Sequence, residues 1–391
     1  MLRQEPAHGI VFGSKLSAQR HNLVTEDGIV DQKWLFASNP HPNPTQAAEI
    51  AAAIENPGFG HVFSDHMITV QWTEALGWHD AKLEDRKPFQ MDPASAVLHY
   101  AQEIFEGLKA YKTADGAVAL FRPEQNARRF IKSAERLAMA PVPESLFLQA
   151  VETLVRTEKD WIPGGEGSLY IRPFQFASEA FLGVRPSHKY TFCVIASPVG
   201  PYFKGGQSAI TVWATDTYTR ASAGGTGSAK CGGNYANSLL AQAEASQNGC
   251  DQVVFLDAAQ HRWIEELGGM NVFFVMADGT LVTPPLAGTI LPGITRSSVL
   301  ELAREQGFRV EERAYSFDQW RDDAQSGALK ETFACGTAAV ISAIGKVRYP
   351  GGEFTIGDGE KGPITQSIYA LLTGIQRGKI ADSHGWVHRV I

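Results

Sequence analysis

The 391-residue chain is 44% hydrophobic and 20% charged with a formal net charge of −7, the balance of a soluble globular protein and no electrostatic support for binding nucleic acid or an anionic membrane. Its length exceeds the roughly 250–300 residues at which one hydrophobic core stops growing, so two domains with a small-molecule site between them are expected. Cys193, Cys231, Cys250 and Cys335 lack C-x-x-C or zinc-ligand spacing, the polar start lacks a signal-peptide core, and no run approaches the ~20 apolar residues of a membrane span; a reduced, cytoplasmic, metal-free protein is expected.

Residues 1–60 are rich in turn formers such as His41-Pro42-Asn43-Pro44 and carry no functional signal. Residues 68–72 read as a strand, and residues 110–112 and 118–121 flank Asp115-Gly116, a tight-hairpin dipeptide. From Glu124 to Met139 the apolar residues Phe130, Ala134, Leu137 and Ala138 recur at helical spacing until Pro141 and Pro143 interrupt it. A second helix is predicted over 144–159, then strands over 169–176 and 190–196 joined by a loop at 178–188. The Gly- and Pro-rich run at 198–206 has linker composition. It divides the chain into a smaller N-terminal α+β domain (1–200), a linker (201–208) and a larger C-terminal domain (209–391). Strands over 209–215, 251–257, 271–276 and 281–283, with helices over 235–247, 295–306 and 365–376, complete a mixed α/β reading.

One lysine stands between two glycine-rich turns in Ala223-Gly224-Gly225-Thr226-Gly227-Ser228-Ala229-Lys230-Cys231-Gly232-Gly233-Asn234-Tyr235. Glycine allows close backbone approach to a ligand, and an amine in a sparsely solvated pocket loses proton affinity and can form a Schiff base with an aldehyde. A nucleotide P-loop is rejected, because it needs glycine directly before the lysine and Ser or Thr after it, where Ala229 and Cys231 stand. These residues alone leave a surface loop and a carbonyl-reactive lysine both open.

A lysine-bound aldehyde such as pyridoxal phosphate also needs an anion cradle and a carboxylate opposite its ring nitrogen. Leu291-Pro292-Gly293-Ile294-Thr295-Arg296 puts a tight turn and a Thr N-cap before a helix, whose free N–H groups and dipole suit an anion. Glu265-Glu266 enters a buried strand, where a carboxylate needs a cationic or proton-donating partner. Of the adjacent Arg128 and Arg129, helical geometry turns one inward, where it can clamp phosphate bidentately. Ala334-Cys335-Gly336-Thr337-Ala338-Ala339-Val340 is a small-residue turn with N–H groups suited to a carboxylate.

In this order the pieces resemble the branched-chain amino acid aminotransferases, pyridoxal-phosphate enzymes of fold type IV in the D-alanine aminotransferase-like group. The resemblance runs from about His61 to the C-terminus. It is carried by Phe105-Glu106-Gly107-Leu108-Lys109-Ala110, Leu169-Tyr170-Ile171-Arg172-Pro173, Lys230-Cys231-Gly232-Gly233-Asn234-Tyr235, Leu291-Pro292-Gly293-Ile294-Thr295-Arg296 and Gly336-Thr337-Ala338. It implies a two-domain α/β fold with a barrel-like larger domain, and pyridoxal 5'-phosphate bound covalently to Lys230. Glu266 would face the pyridine nitrogen, Tyr235 the phenolic oxygen, and Arg129, Ile294, Thr295 and Thr337 the phosphate. Thr337 and Ala338 would meet the substrate α-carboxylate, while Tyr100, Phe105, Tyr170 and Tyr202 line an apolar pocket and Arg172 receives the distal carboxylate of glutamate. Leu182 and Val184 would reach a neighbouring subunit's pocket, implying a homodimer. The implied substrates are L-leucine, L-isoleucine and L-valine against 2-oxoglutarate. D-amino acid aminotransferase and aminodeoxychorismate lyase are the nearest alternatives within the fold, and a non-catalytic phosphate binder is the alternative outside it. Ala339 stands where animal members carry the first cysteine of a redox pair, so no thiol switch is expected.

Overall fold

The computed structural model describes residues 33–200 and 209–391; the predicted linker 201–208 lies outside the described residues. The chain begins with β1 (Ala37–Asn39), α1 (Ala47–Glu55), β2 (His66–Thr73), β3 (Gly77–Asp85), α2 (Ala96–Tyr100), β4 (Glu103–Phe105), β5 (Leu108–Lys112) and β6 (Val118–Phe121). It continues through α3 (Pro123–Arg136), α4 (Glu144–Thr157), β7 (Ser168–Ala177), β8 (Lys189–Val199), β9 (Ala209–Ala214), α5 (Gly232–Gln247), β10 (Gln252–Leu256), β11 (Ile264–Leu267) and β12 (Asn271–Met276). Then come β13 (Leu281–Thr283), α6 (Ile294–Glu305), β14 (Val310–Glu312), α7 (Phe317–Ser326), β15 (Leu329–Gly336), β16 (Val340–Tyr349), β17 (Gly352–Thr355), α8 (Pro363–Gln376) and β18 (Val387–Arg389).

Two nine-stranded sheets result, giving the mixed α/β class expected. The first runs β1-β3-β2-β8-β7-β5-β6-β18 with β4 on β7, and the second β11-β10-β9-β16-β15-β12-β13-β14 with β17 on β16. On the first sheet, α4 turns Leu146, Phe147, Ala150, Val151, Leu154 and Val155 inward at helical spacing. Phe147 and Phe130 of α3 meet Phe192 of β8 at ring-centroid distances of 6.1 and 5.7 Å. Burial of each such side chain contributes about 1.5–3 kcal/mol. On the second sheet, Trp320 of α7 is fully buried against Phe274 and Phe354.

The Asp115-Gly116 turn closes the β5–β6 hairpin as expected, with Gly116 at φ 85°. One difference matters for the site. Thr295 is not the N-cap of α6: Gly293 holds that position, and no side chain caps the helix start. A Cβ at residue 293 would lie 2.0 Å from Asn271 Oδ1, so only glycine lets that asparagine pack against the helix start. β3 carries no clean apolar alternation because it is half-buried along nearly its whole length, and β18 returns the C-terminus to the first sheet by pairing with β6.

Histidines fasten that return. His384 stacks on Trp386 with centroids 4.0 Å apart, and its two ring nitrogens face Glu301 and Glu305 of α6 at 3.5 and 3.2 Å. His388 bridges Glu124 of α3 and Glu152 of α4 at 3.4 and 2.8 Å, and these hydrogen bonds raise its pKa from 6.5 to about 9. A raised histidine pKa stabilises the fold fully below the unfolded value and loses that contribution as pH rises through the folded value. His388→Gln is therefore expected to melt about 2 °C lower than the native protein near pH 6, with the gap closing above pH 9. Paired melting curves across that range check this; a gap independent of pH would exclude the charge of His388 as its source.

Candidate active site

Lys230 lies on the loop between β9 and α5, and that loop is pinned from several sides. Arg136 of α3 donates to the Gly224 and Gly225 carbonyls at 2.8 and 3.0 Å, and Arg220 to those of Gly227 and Thr289 at 3.2 and 3.0 Å. A Cβ at Gly227 would sit 2.3 Å from the Thr289 carbonyl oxygen, which explains glycine there. Lys230 N–H donates to Ser133 Oγ at 2.9 Å, and its carbonyl accepts from Phe105 N–H at 3.0 Å. With its backbone fixed on both sides, the side chain projects to 2.7 Å between Nζ and the Tyr235 hydroxyl. Tyr235 stands in the first turn of α5, whose start is tied to β4 by the Gly232 N–H donating to the Glu103 carboxylate.

A cavity of about 190 Å³ opens beside Lys230, with β4 and β7 on one side and β11, β12 and β15 on the other. Glu266 lies at its floor, buried, paired with Arg220 at 2.8 Å and accepting from Leu291 N–H at 2.8 Å and Asn271 Nδ2 at 3.1 Å. Burial pushes its carboxyl up to about 7, opposed by the Arg220 guanidinium. Glu265 points elsewhere, accepting from Thr289 Oγ1, and does not line the cavity. Both carboxylates are buried, where one partly buried group was expected; Glu266 faces the cavity and Glu265 packs away from it.

At another wall, Ile294 and Thr295 present the uncapped start of α6, whose free N–H groups and dipole favour an anion. Arg129 is the inward arginine, whereas Arg128 pairs with Glu144 on the surface. Glu106 grips Arg129 bidentately at 2.7 and 2.9 Å, leaving Nη1 against the Pro292 carbonyl at 3.1 Å, beside the helix start. Burial disfavours charge on Glu106, but Arg129 and the Asn126 amide override it and hold the carboxyl below its usual range.

The remaining wall is aromatic. Phe105 lies 4.9 Å from Lys230 Nζ, measured to the ring centroid, and Phe59 meets Tyr170 edge-on at 5.2 Å. Gly107 makes room for the Tyr170 hydroxyl, since a Cβ there would lie 2.0 Å from it. Arg172 rests over Phe105 and Tyr170 at 4.8 and 5.3 Å and donates from Nη2 to the Tyr170 hydroxyl at 3.1 Å, while its Nε is buried without a partner among the described residues. Thr337 and Ala338 close the rim in the turn between β15 and β16.

One expected pocket residue, Tyr100, lies away from this cavity, and Leu182 and Val184, expected at a neighbouring subunit's pocket, lie on the surface. Tyr100, at the end of α2, donates its hydroxyl to the Leu182 carbonyl, and both side chains face outward. Tyr100 thus does not line the cavity of its own chain, because the helix end turns it toward the 178–188 loop. Leu182 and Val184 are 67% and 90% exposed, and Tyr202 lies outside the described residues. Phe59, Glu106, Ser133, Arg220 and Asn271 are site residues that pattern reading did not pick out. Glu106 stood inside a recognisable block, but an isolated Arg220 in a polar stretch carries no local signal of its buried partner.

Together these groups define an enzyme of the amino-transferase class IV type, and the family model of that description matches residues 103–347. A branched-chain-amino-acid aminotransferase of Mycolicibacterium smegmatis is 52% identical over 360 residues, 91% of this chain and 98% of that one. The crystal structure of the Escherichia coli branched-chain amino acid aminotransferase is similar with a TM-score of 0.70 at 27% identity, covering 84% of this chain and 99% of that one. The Thermobaculum terrenum branched-chain amino acid aminotransferase, in its PLP-bound holo form, gives 0.65 at 26% identity, covering 84% and 99%. The chain belongs to the branched-chain-amino-acid aminotransferase family.

Proposed function

We propose that the protein transfers the amino group between L-leucine, L-isoleucine or L-valine and 2-oxoglutarate by a ping-pong reaction that depends on pyridoxal 5'-phosphate bound at Lys230. The observation that carries this reading is the convergence on one cavity of Lys230 paired to Tyr235, buried Glu266, and the uncapped α6 start beside Arg129. This donor set fits the cofactor: Arg129 Nη1 and the Ile294 and Thr295 N–H groups suit its phosphate, and Glu266 suits a protonated ring nitrogen. Bound there, the cofactor supplies a carbonyl for the substrate amine and a ring that accepts electron density from the substrate Cα.

The protein's part follows from its own groups. Lys230 Nζ acts as general base: it takes the proton from the substrate Cα and, as an ammonium, would deliver it to the cofactor's carbonyl carbon. Tyr235 orients the amine through its hydroxyl. Glu266, with Arg220 and Asn271 fixing its oxygens, holds a proton on the ring nitrogen. Phe59, Phe105 and Tyr170 exclude water and accept a branched apolar side chain, and Thr337 and Ala338 N–H groups receive the α-carboxylate. The partnerless Nε of Arg172 supports its role toward the distal carboxylate of glutamate, so one pocket serves both substrates. The outward Tyr100, Leu182 and Val184 support a homodimer in which they complete a partner's pocket. Among the described residues no helix is long and apolar enough to cross a membrane.

The test is the visible spectrum of protein incubated with pyridoxal phosphate. A band bleached by L-leucine and restored by 2-oxoglutarate is expected; a band responding only to D-amino acids or aminodeoxychorismate would replace the substrate reading. Gly293→Ala is expected to weaken cofactor binding about tenfold, because the added Cβ displaces Asn271 from Glu266 and the Leu291 carbonyl. Fluorescence titration with pyridoxal phosphate checks it, and unchanged affinity would separate Asn271 from the cofactor site.

A further inference from the structure

Lys109 is a buried amine that the reaction above leaves without a task. It lies in β5, 7% exposed, and its Nζ donates to the Ala338 carbonyl at 2.8 Å. Among the described residues no carboxylate forms an ion pair with it. A cavity of about 20 Å³ lies beside it, bordered by the polar residues Asn126, Thr295, Thr337 and Gln376, enough space for a water molecule that completes the hydration of an ammonium.

The carbonyl it holds belongs to a turn that needs holding. Val340, which ends this turn, is a β-branched residue at φ 61°, a left-handed conformation that persists only when its surroundings impose it. The bond from Lys109 is the link between this turn and the first sheet that the side chains provide.

We propose that Lys109 is a positioning residue for the substrate α-carboxylate: its ammonium fixes the Ala338 carbonyl, holds the 337–339 turn against the first sheet and adds positive charge to that turn, so carboxylates bind more tightly while Lys109 is protonated. This rests on the reading of the 337–338 turn as the α-carboxylate site. Burial, and then the Arg377 guanidinium beyond α8, push the amine down to about 7. The other ionisable groups beside it are Tyr111 on its own strand and Tyr170 across the β5–β7 pairing. Lys109 is thus an ammonium below neutral pH and a neutral amine above it.

The experiment is calorimetric binding of 4-methylvaleric acid to the full-length, cofactor-loaded protein between about pH 6 and 9. This probe lacks an amine and is ionised throughout that range. The native protein is expected to lose about tenfold in affinity as pH rises, the size of one charge-assisted hydrogen bond. Lys109→Arg, charged throughout, is expected to stay tight at every pH, while Lys109→Met is weak at every pH, with KM for L-leucine raised more than kcat is lowered. Lys109→Arg with the same pH profile as the native protein overturns the proposal, and does so even if Lys109→Met fails to fold. So does Lys109→Met binding as tightly as the native protein at pH 6. Native protein that transaminates L-leucine but binds the acid with pH-independent affinity removes Lys109 alone; native protein that binds no carboxylate at any pH removes the α-carboxylate reading with it.

Discussion

Lys230→Ala is expected to lower steady-state transamination at least about 10³-fold while leaving the fold intact. General base catalysis by a positioned side chain is worth about 10²–10⁴, and the covalent attachment of the cofactor is lost with the same amine. The local structure tolerates the change, because Ser133 and Phe105 hold the Lys230 backbone and the hydrogen bond from its Nζ to Tyr235 is replaceable by water. The Tyr235 hydroxyl loses a partner but remains beside the cavity, where water can replace the amine. Two measurements check this. Borohydride treatment should attach the cofactor to the native protein and not to the variant, and coupled turnover of L-leucine with 2-oxoglutarate should be undetectable above background. Steady-state transamination by Lys230→Ala at more than a few per cent of native rate would sink the assignment of this residue as the base.

Arg172→Ala is expected to separate the two half-reactions. Truncating one member of a buried charge pair costs about 2–5 kcal/mol, so kcat/KM for 2-oxoglutarate should fall about 10²-fold or more. The half-reaction with L-leucine should change by no more than about tenfold, since an apolar side chain draws on Phe105, Tyr170 and Phe59 and not on the guanidinium. The partnerless Nε gives the physical reason: a buried donor lacking an acceptor is held in readiness for one that arrives with the substrate. Some loss with leucine follows from geometry, because Arg172 packs over both aromatic rings and bonds the Tyr170 hydroxyl. Single-turnover spectra with each substrate separately provide the readout. Equal losses for both would remove Arg172 from carboxylate recognition and make it a packing residue of the aromatic wall.

The sequence was legible where chemistry and backbone constraint fall on neighbouring residues. Lys230 between glycines and the Pro292-Gly293 turn before a helix are local patterns that each mark a wall of the cavity, whereas Glu265-Glu266, read as a strand entry, lies within β11 and only Glu266 lines the cavity. That one of Arg128 and Arg129 turns inward was also local, whereas the choice of Arg129 came with the family resemblance. The helix start was legible but its cap was not. Thr295 fits an N-cap by residue type, yet Gly293 takes the position because Asn271, distant in sequence, occupies the space a Cβ would need.

Composition, periodicity and these local blocks thus determined the α/β class, many of the elements in their order and several of the residues that line the cavity. Only the tertiary structure decided which charges are buried together. Glu106 on Arg129, Arg220 on Glu266 and Lys109 on Ala338 are partners separated by 23, 46 and 229 residues. It likewise turned Tyr100 and Leu182 outward and returned β18 to the first sheet. The reason is physical: periodicity reports which face of an element is apolar, whereas the partner of a buried charge depends on which elements pack against it, and a single residue carries no record of that.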